Sequence, residues 1–136
     1  MTRQGLHREN KRMSRVAVVT GGSRGIGAEI ARQLKDAGYK VAATYHGNVE
    51  AAEAFSKESG ISVYKWDVAD FEECKAGIAQ VEADLGPVDI LVNNAGITRD
   101  GTLHRMDFEA WNAVVQTNLS SCFNMCRLVI DGMRAR

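Results

Sequence analysis

The 136-residue sequence predicts an α/β fold, a doubly wound parallel sheet, on three observations. Short β-branched runs alternate with longer amphipathic stretches from Arg15 onward, the pattern of βαβ units. A glycine-rich turn at residues 21–27 joins the first such run to the first amphipathic stretch. The strand candidates are almost wholly apolar, as in a parallel sheet covered on both faces.

Residues 16–20 are the first strand. A helix over residues 25–37 follows, with Ile26, Ile30 and Leu34 on one face and Gly38 placed for a left-handed cap. Residues 40–45 form the second strand. The second helix covers 49–59, with Ala51, Ala52 and Phe55 facing inward and Gly60 ending it. Strand three is 62–66. Asp70 and Glu73 have the spacing of a capping box and open a helix whose Phe71, Cys74, Ile78, Val81 and Leu85 share a stripe, until Gly86-Pro87 stops it. Residues 88–92 are strand four. Beyond a loop, Asp107 can cap a long helix running from Trp111 past Met133, whose apolar stripe is broad enough to bury on two sides. Cys122 and Cys126 on this helix are expected to pack in the core, and no metal site is expected from them or from the scattered His7, His46 and His104.

Right-handed crossovers would set the strands in the order 3-2-1-4, with strand four as an apolar edge. Exposed edges of that kind invite aggregation, so further strands are expected beyond Arg136 and the domain, 15–136, is expected to be truncated at its C-terminus. Residues 1–14 carry charges and few apolar groups and are expected to be a flexible tail, with Met13 a second possible start.

Composition excludes several roles. Seventeen basic and seventeen acidic residues leave no net charge, so neither nucleic acid nor an anionic membrane is an expected partner. No apolar run is long enough to span a bilayer. Three cysteines without a C-x-x-C pair fit a reducing compartment, the cytoplasm.

The glycine turn carries the chemistry. Between a strand and a helix, glycines let the backbone approach a pyrophosphate, and the free N–H groups of the helix start attract its charge. Gly21, Gly25 and Gly27, spaced G-x-x-x-G-x-G, therefore read as a dinucleotide site of Rossmann type, with Ser23, Arg24 and Ile26 in the same turn. NAD binding would call for a carboxylate where strand two ends, to hold the ribose hydroxyls. Here that strand ends Thr44-Tyr45-His46-Gly47, without one. Arg24, helped by Asn48, can instead bond a 2′-phosphate, so the expected cofactor is NADP.

Thr20-Gly21-x-x-x-Gly25-Ile26-Gly27 together with Asn93-Asn94-Ala95-Gly96 resembles the short-chain dehydrogenase/reductase family. The resemblance covers residues 16–136 but only the N-terminal half of such a domain. Residues 94–100, 117–124 and 129–133 look most like the acetoacetyl-CoA reductases of polyhydroxybutyrate synthesis. The 3-oxoacyl-acyl-carrier-protein reductases are close relatives.

The resemblance implies roles for individual residues. The Asp67 carboxylate would hold the adenine amino group and the Val68 amide a neighbouring ring nitrogen. Asn94, Ala95, Gly96 and Ile97 would lie against the cofactor, while Asn93 ties neighbouring strands. Asp100 would stand near the substrate. Asn118, a poor helix former within the long helix, would hold a water that passes protons to a catalytic lysine. Asp100 as a solvated loop residue and Asn118 as an Asn satisfied by nearby backbone stay open.

The implied reaction, hydride transfer to the 3-keto carbon of a short acyl thioester, needs a Tyr-x-x-x-Lys pair. None of Tyr39, Tyr45 and Tyr64 has a lysine four residues on, so the 136 residues alone are expected to be inactive. A carrier-protein thioester substrate and a non-catalytic dinucleotide-binding module are the alternatives. A homo-oligomer, a tetramer by the family's habit, is expected of the complete protein.

Overall fold

The computed structural model describes residues 4–5 and 15–136. The tail expected at residues 1–14 thus falls, save for Gln4 and Gly5, outside the described residues. From Val16 the order is β1 (Val16–Val19), α1 (Gly25–Asp36), β2 (Lys40–Tyr45), α2 (Val49–Ser59), β3 (Ser62–Lys65), α3 (Phe71–Leu85), β4 (Val88–Val92), a 3-10 turn (Leu103–Arg105), α4 (Phe108–Val115), a wide π-helical turn (Gln116–Ser120) and α5 (Ser121–Ala135).

The four strands form one parallel sheet in the order β3-β2-β1-β4, as the crossover rule requires. All of β1 is buried, because both faces of this central strand are covered. On one face Val16, Val18 and Ala42 pack with Cys74, Ile78 and Val81 of α3 and Met125 and Val129 of α5. On the other, Ala17, Val19 and Ala43 pack with Ala28 and Ala31 of α1 and Phe55 of α2. The register of β1 on β4 shifts between Val16 and Ala17. Asp89 stands at that shift and accepts a hydrogen bond from the Val16 N–H at 3.0 Å, so the irregularity leaves this strand-start donor satisfied.

Three packing expectations are corrected. Ile26 is 77% exposed, and α1 buries Gly27, Ala28 and Ala31, while Ile30 and Leu34 of the expected face pack part-buried against the same core. The cause is close approach, since a Cβ on Gly27 would lie 2.1 Å from the Gly21 carbonyl oxygen and only small residues fit that side. The long helix is broken into α4 and α5 by the π-helical turn. Cys122 is half-buried and Cys126 exposed, because α5 buries Ser121, Asn124, Met125 and Val129 on its inward face. Phe108, Trp111, Leu119, Phe123 and Ile130 stay exposed.

The caps follow the sequence closely. Asn48, Asp70 and Asp107 each accept a hydrogen bond from the N–H three residues on. Glu73 does not complete a reciprocal capping box. It reaches past Asp70 to accept from the Asp67 N–H at 2.6 Å, bracing the turn that leaves β3. No helix among the described residues is long and apolar enough to cross a membrane.

Candidate functional site

The carboxyl ends of β1, β2, β3 and β4 open onto a cavity of about 620 Å³. In parallel sheets such a crevice forms where the strand order reverses, here between β1 and β4. Gly21, Ser23, Arg24, Gly25, Ile26 and Gly27 line it from one side. Asp67, Val68, Asn94, Ala95, Gly96 and Ile97 line it from the others. Every residue read as cofactor-binding thus reaches the same cavity.

The glycine turn is held by backbone and by two side chains. Gly21 and Gly25 have φ of 61° and 55°, in the left-handed region that glycine adopts without a steric penalty. The Gly22 N–H donates to the Thr44 carbonyl at 3.0 Å, tying the turn to β2. Asn94 donates its amide to the carbonyls of Thr20 and Gly21, at 3.0 and 3.1 Å, tying the turn to the loop after β4. The buried Thr20 hydroxyl accepts from the N–H groups of Asn94 and Ala95, each at 3.0 Å. The strand-tying asparagine is therefore Asn94, while the exposed Asn93 donates to the Cys126 sulfur at 3.4 Å. Asn94 faces the switch point where both strands end, and Asn93 points the other way along the alternating chain.

The start of α1 leaves its leading N–H groups without a side-chain cap. Arg24 caps it in extended conformation without a side-chain bond, and no acidic residue stands in its first turn. Its leading N–H groups are thus free of side-chain partners, and the helix dipole favours negative charge there. The Arg24 side chain is exposed and forms no hydrogen bond or ion pair among the described residues.

Past the end of β3, Asp67 Oδ1 accepts from the Ala69 N–H at 2.9 Å. The Val68 carbonyl accepts from the buried Asn124 amide at 3.0 Å, so the end of β3 is anchored to α5. Asn48 spends its side-chain oxygen on the Ala51 N–H, which leaves its amide alone as a donor to a ligand. Trp66 lies flat on Gly77, where an added Cβ would fall 2.2 Å from the ring. Beneath it burial pushes the Cys74 thiol up to about 11, an unreactive packing cysteine.

Asn118 sits in the π-helical turn and grips Ile97 twice. Its Oδ1 accepts from the Ile97 N–H at 2.8 Å and its Nδ2 donates to the Ile97 carbonyl at 3.0 Å. Each atom makes one bond to the groove's lip and keeps capacity for another, and the neighbouring Thr117 lines the cavity. Asp100 is exposed and outside the lining, whereas Arg99 is within it. Trp66 and Thr117 also line the cavity, as do Tyr45 and His46, to none of which the sequence alone assigns a place in the site. The end of β2 was read only for a missing carboxylate, although a strand end at this crevice is itself a signal that its residues face the ligand. Among the described residues no group of three His, Cys, Asp or Glu is placed to hold a metal.

The short chain dehydrogenase family model matches residues 15–136. The chain belongs to that family. This short-chain dehydrogenase is 64% identical over 124 residues to an acetoacetyl-CoA reductase of Shinella zoogloeoides, covering 91% of this chain and 52% of that protein. It is 65% identical over the same length to an acetoacetyl-CoA reductase of Rhizobium meliloti (strain 1021), with the same coverage. A 3-oxoacyl-[acyl-carrier-protein] reductase of Staphylococcus aureus (strain Mu50 / ATCC 700699) is 48% identical over 118 residues, 83% of this chain and 48% of that protein. A solved structure from Novosphingobium aromaticivorans, described as a short-chain dehydrogenase, superposes with a TM-score of 0.84 at 31% identity, over 90% of this chain and 47% of that one. The chain spans about half the length of the curated relatives it matches.

Proposed function

We propose that this short-chain dehydrogenase chain is the cofactor-binding part of an NADPH-dependent reductase that converts acetoacetyl-CoA to 3-hydroxybutyryl-CoA, the reductive step of polyhydroxybutyrate synthesis. The observation that carries the cofactor is the pairing of an uncapped α1 start with an unpartnered Arg24, opposite a β2 end without a carboxylate. The residues fit a dinucleotide: the space over Gly25 holds nothing within 4 Å, so a diphosphate can approach the backbone there. Bound NADPH would supply the hydride.

The chain's own residues do the rest. The N–H groups of Gly25, Ile26 and Gly27 take the diphosphate, Arg24 bonds the 2′-phosphate, and Asp67 and Val68 take the adenine edge. Asn94 and Asn118 fix the loop that underlies the reacting end, which keeps the site in one geometry before ligand arrives. Asn118 would also position a proton-carrying water from that place. Asp100 stays a candidate for substrate contact through movement of its loop.

The general acid is assigned to none of Tyr39, Tyr45 and Tyr64, because none has a lysine four residues on. Tyr64 donates to Asp84 at 2.9 Å, away from the groove, and burial with that bond pushes its hydroxyl up to about 12, opposite to what an acid catalyst needs. The 136-residue chain is accordingly a binding unit that turns nothing over by itself. The CoA thioester is favoured over the carrier-protein thioester by the higher identity to acetoacetyl-CoA reductases. The exposed apolar stripe of α4 and α5 supports a homo-oligomer, a tetramer in the complete enzyme, and three cysteines without a C-x-x-C pair support a cytoplasmic protein.

The test follows NADPH oxidation by the complete protein with each thioester. Turnover at least about 10-fold faster per unit concentration on acetoacetyl-CoA than on the carrier-protein analogue supports the proposal. The reverse order would assign the carrier-protein substrate, and NADPH binding without oxidation of either would make it a binding module.

A further inference from the structure

Of the four consecutive backbone N–H groups from Asp67 to Asp70, three are taken. The Asp67 N–H donates to Glu73 at 2.6 Å, the Ala69 N–H to Asp67 Oδ1 at 2.9 Å and the Asp70 N–H to the Asp67 carbonyl at 3.1 Å. The Val68 N–H has no partner among the described residues, and Val68 lines the groove of about 620 Å³. The same residue is gripped at its other end. There the Asn124 amide of α5 donates to the Val68 carbonyl at 3.0 Å, and the Cys74 thiol of α3 donates to it at 3.4 Å.

Asparagine is an unfavourable residue for that place. Asn124 is 6% exposed, on the face of α5 that otherwise buries Ser121, Met125 and Val129, and its side chain competes for the backbone bonds of a helix. A buried amide lowers stability unless it is bonded. The bond it makes goes not to its own helix but 56 residues back, to Val68. Asn124 does not line the groove, so it can reach a ligand there only through Val68.

We propose that Asn124 is a positioning residue for adenine recognition: by holding the Val68 carbonyl it fixes the turn so that the free Val68 N–H and the Asp67 carboxylate meet the adenine edge together. This rests on the reading of Asp67 and Val68 as the adenine contacts. Adenine presents a ring nitrogen that accepts beside an amino group that donates, and an N–H next to a carboxylate oxygen complements that pair. The match holds at one spacing only, because hydrogen bonds weaken steeply with distance and angle. Asp67 Oδ1 is already turned to the Ala69 N–H, which leaves Oδ2 for the ligand. Without the Asn124 bond, the Val68 carbonyl keeps only the longer thiol contact, and the N–H and the carboxylate lose their common anchor.

The experiment measures dissociation constants of the complete protein, unsubstituted and as Asn124→Ala and Asn124→Leu, for NADPH and for its analogue with hypoxanthine in place of adenine. Hypoxanthine carries a hydrogen on that ring nitrogen and a carbonyl in place of the amino group, so it can use neither contact. Asn124→Ala should weaken NADPH binding about 5- to 10-fold and binding of the analogue by less than about 2-fold. Asn124→Leu fills the volume of the amide and favours helix, and it should give the same pair of values, which separates the lost bond from lost packing. Equal weakening of both ligands would show that Asn124 serves the fold alone, and unchanged NADPH binding would show that the turn holds without it. Either result overturns the proposal. If the unsubstituted protein binds the analogue as tightly as NADPH, the adenine reading of Asp67 and Val68 itself fails.

Discussion

A methyl group added to Gly27 would lie 2.1 Å from the Gly21 carbonyl oxygen and 2.5 Å from the Asn94 amide, whereas one added to Gly47 would meet nothing within 4 Å. Both glycines belong to the same groove. Around Gly27 the turn, α1 and the loop after β4 are locked by backbone contacts and by the bonds of Thr20 and Asn94. Around Gly47 the lip is open, and the polar side chains of Arg24, His46 and Asn48 line it. On the proposed reading the locked end would serve any dinucleotide, because every one carries a diphosphate, and the open end would choose among them, because only there do they differ. That reading predicts that binding and selectivity are separable by mutation in this chain.

The largest effect is expected where the lock is broken. Gly27→Ala forces α1 away from β1, and unfolding free energy should fall by about 3 kcal/mol or more, read by chemical denaturation, with cofactor binding lost. Gly47→Ala should stay within about 0.5 kcal/mol. Equal effects at the two positions would break the contrast.

Next comes a change of selectivity without a change of fold. Tyr45→Asp places at the end of β2 the carboxylate that the sequence lacks, where it repels a 2′-phosphate and accepts from ribose hydroxyls. The NADPH to NADH affinity ratio should shift by about 100-fold toward NADH, measured by titration calorimetry, with the melting temperature little changed.

A smaller effect is expected at the far lip. Asn118→Ala removes both bonds to Ile97, and NADPH affinity should fall about 3- to 10-fold. Faster amide hydrogen exchange at Ile97 should accompany the loss. Unaltered exchange there would show that the π-helical turn holds the loop without the side chain.

The smallest and broadest effect concerns pH. Cys74 and Tyr64 have pKa values raised in the folded chain, from 9.0 to about 11 and from 10.0 to about 12. A raised value means the unfolded chain gives up its proton first as pH rises. Stability is therefore full below pH 9 and is lost progressively as pH climbs through 11 and 12. Tyr64→Phe should flatten the upper part of the melting-temperature profile, and NADPH selectivity should be unmoved.

Much of this was legible in the residues. Glycine positions, period-3.6 apolar spacing and short β-branched runs fixed the element order and the crevice, since each is a local property of the chain. Ile26 was misread for the opposite reason. Periodicity favours the largest apolar residues as the inward face, but the close contact of Gly27 with Gly21 turns Gly27, Ala28 and Ala31 to the sheet, with Ile30 and Leu34 only part-buried beside them and Ile26 left outside. The break at Gln116–Ser120 carries no Gly or Pro to announce it, and within it Asn118 reaches across to Ile97, a contact far apart in sequence. Asn93 and Asn94 are adjacent and chemically identical, so only the direction in which β4 delivers them separates the strand tie from the exposed neighbour.

The most direct test of the central claim is the pair of dissociation constants for NADPH and NADH, measured on the unsubstituted chain and on Arg24→Ala. The account predicts tighter NADPH binding by about 10- to 100-fold in the unsubstituted chain, and near-equal binding of both in Arg24→Ala with NADH unchanged. Equal affinities in the unsubstituted chain, or a loss of both ligands together in the variant, would contradict it.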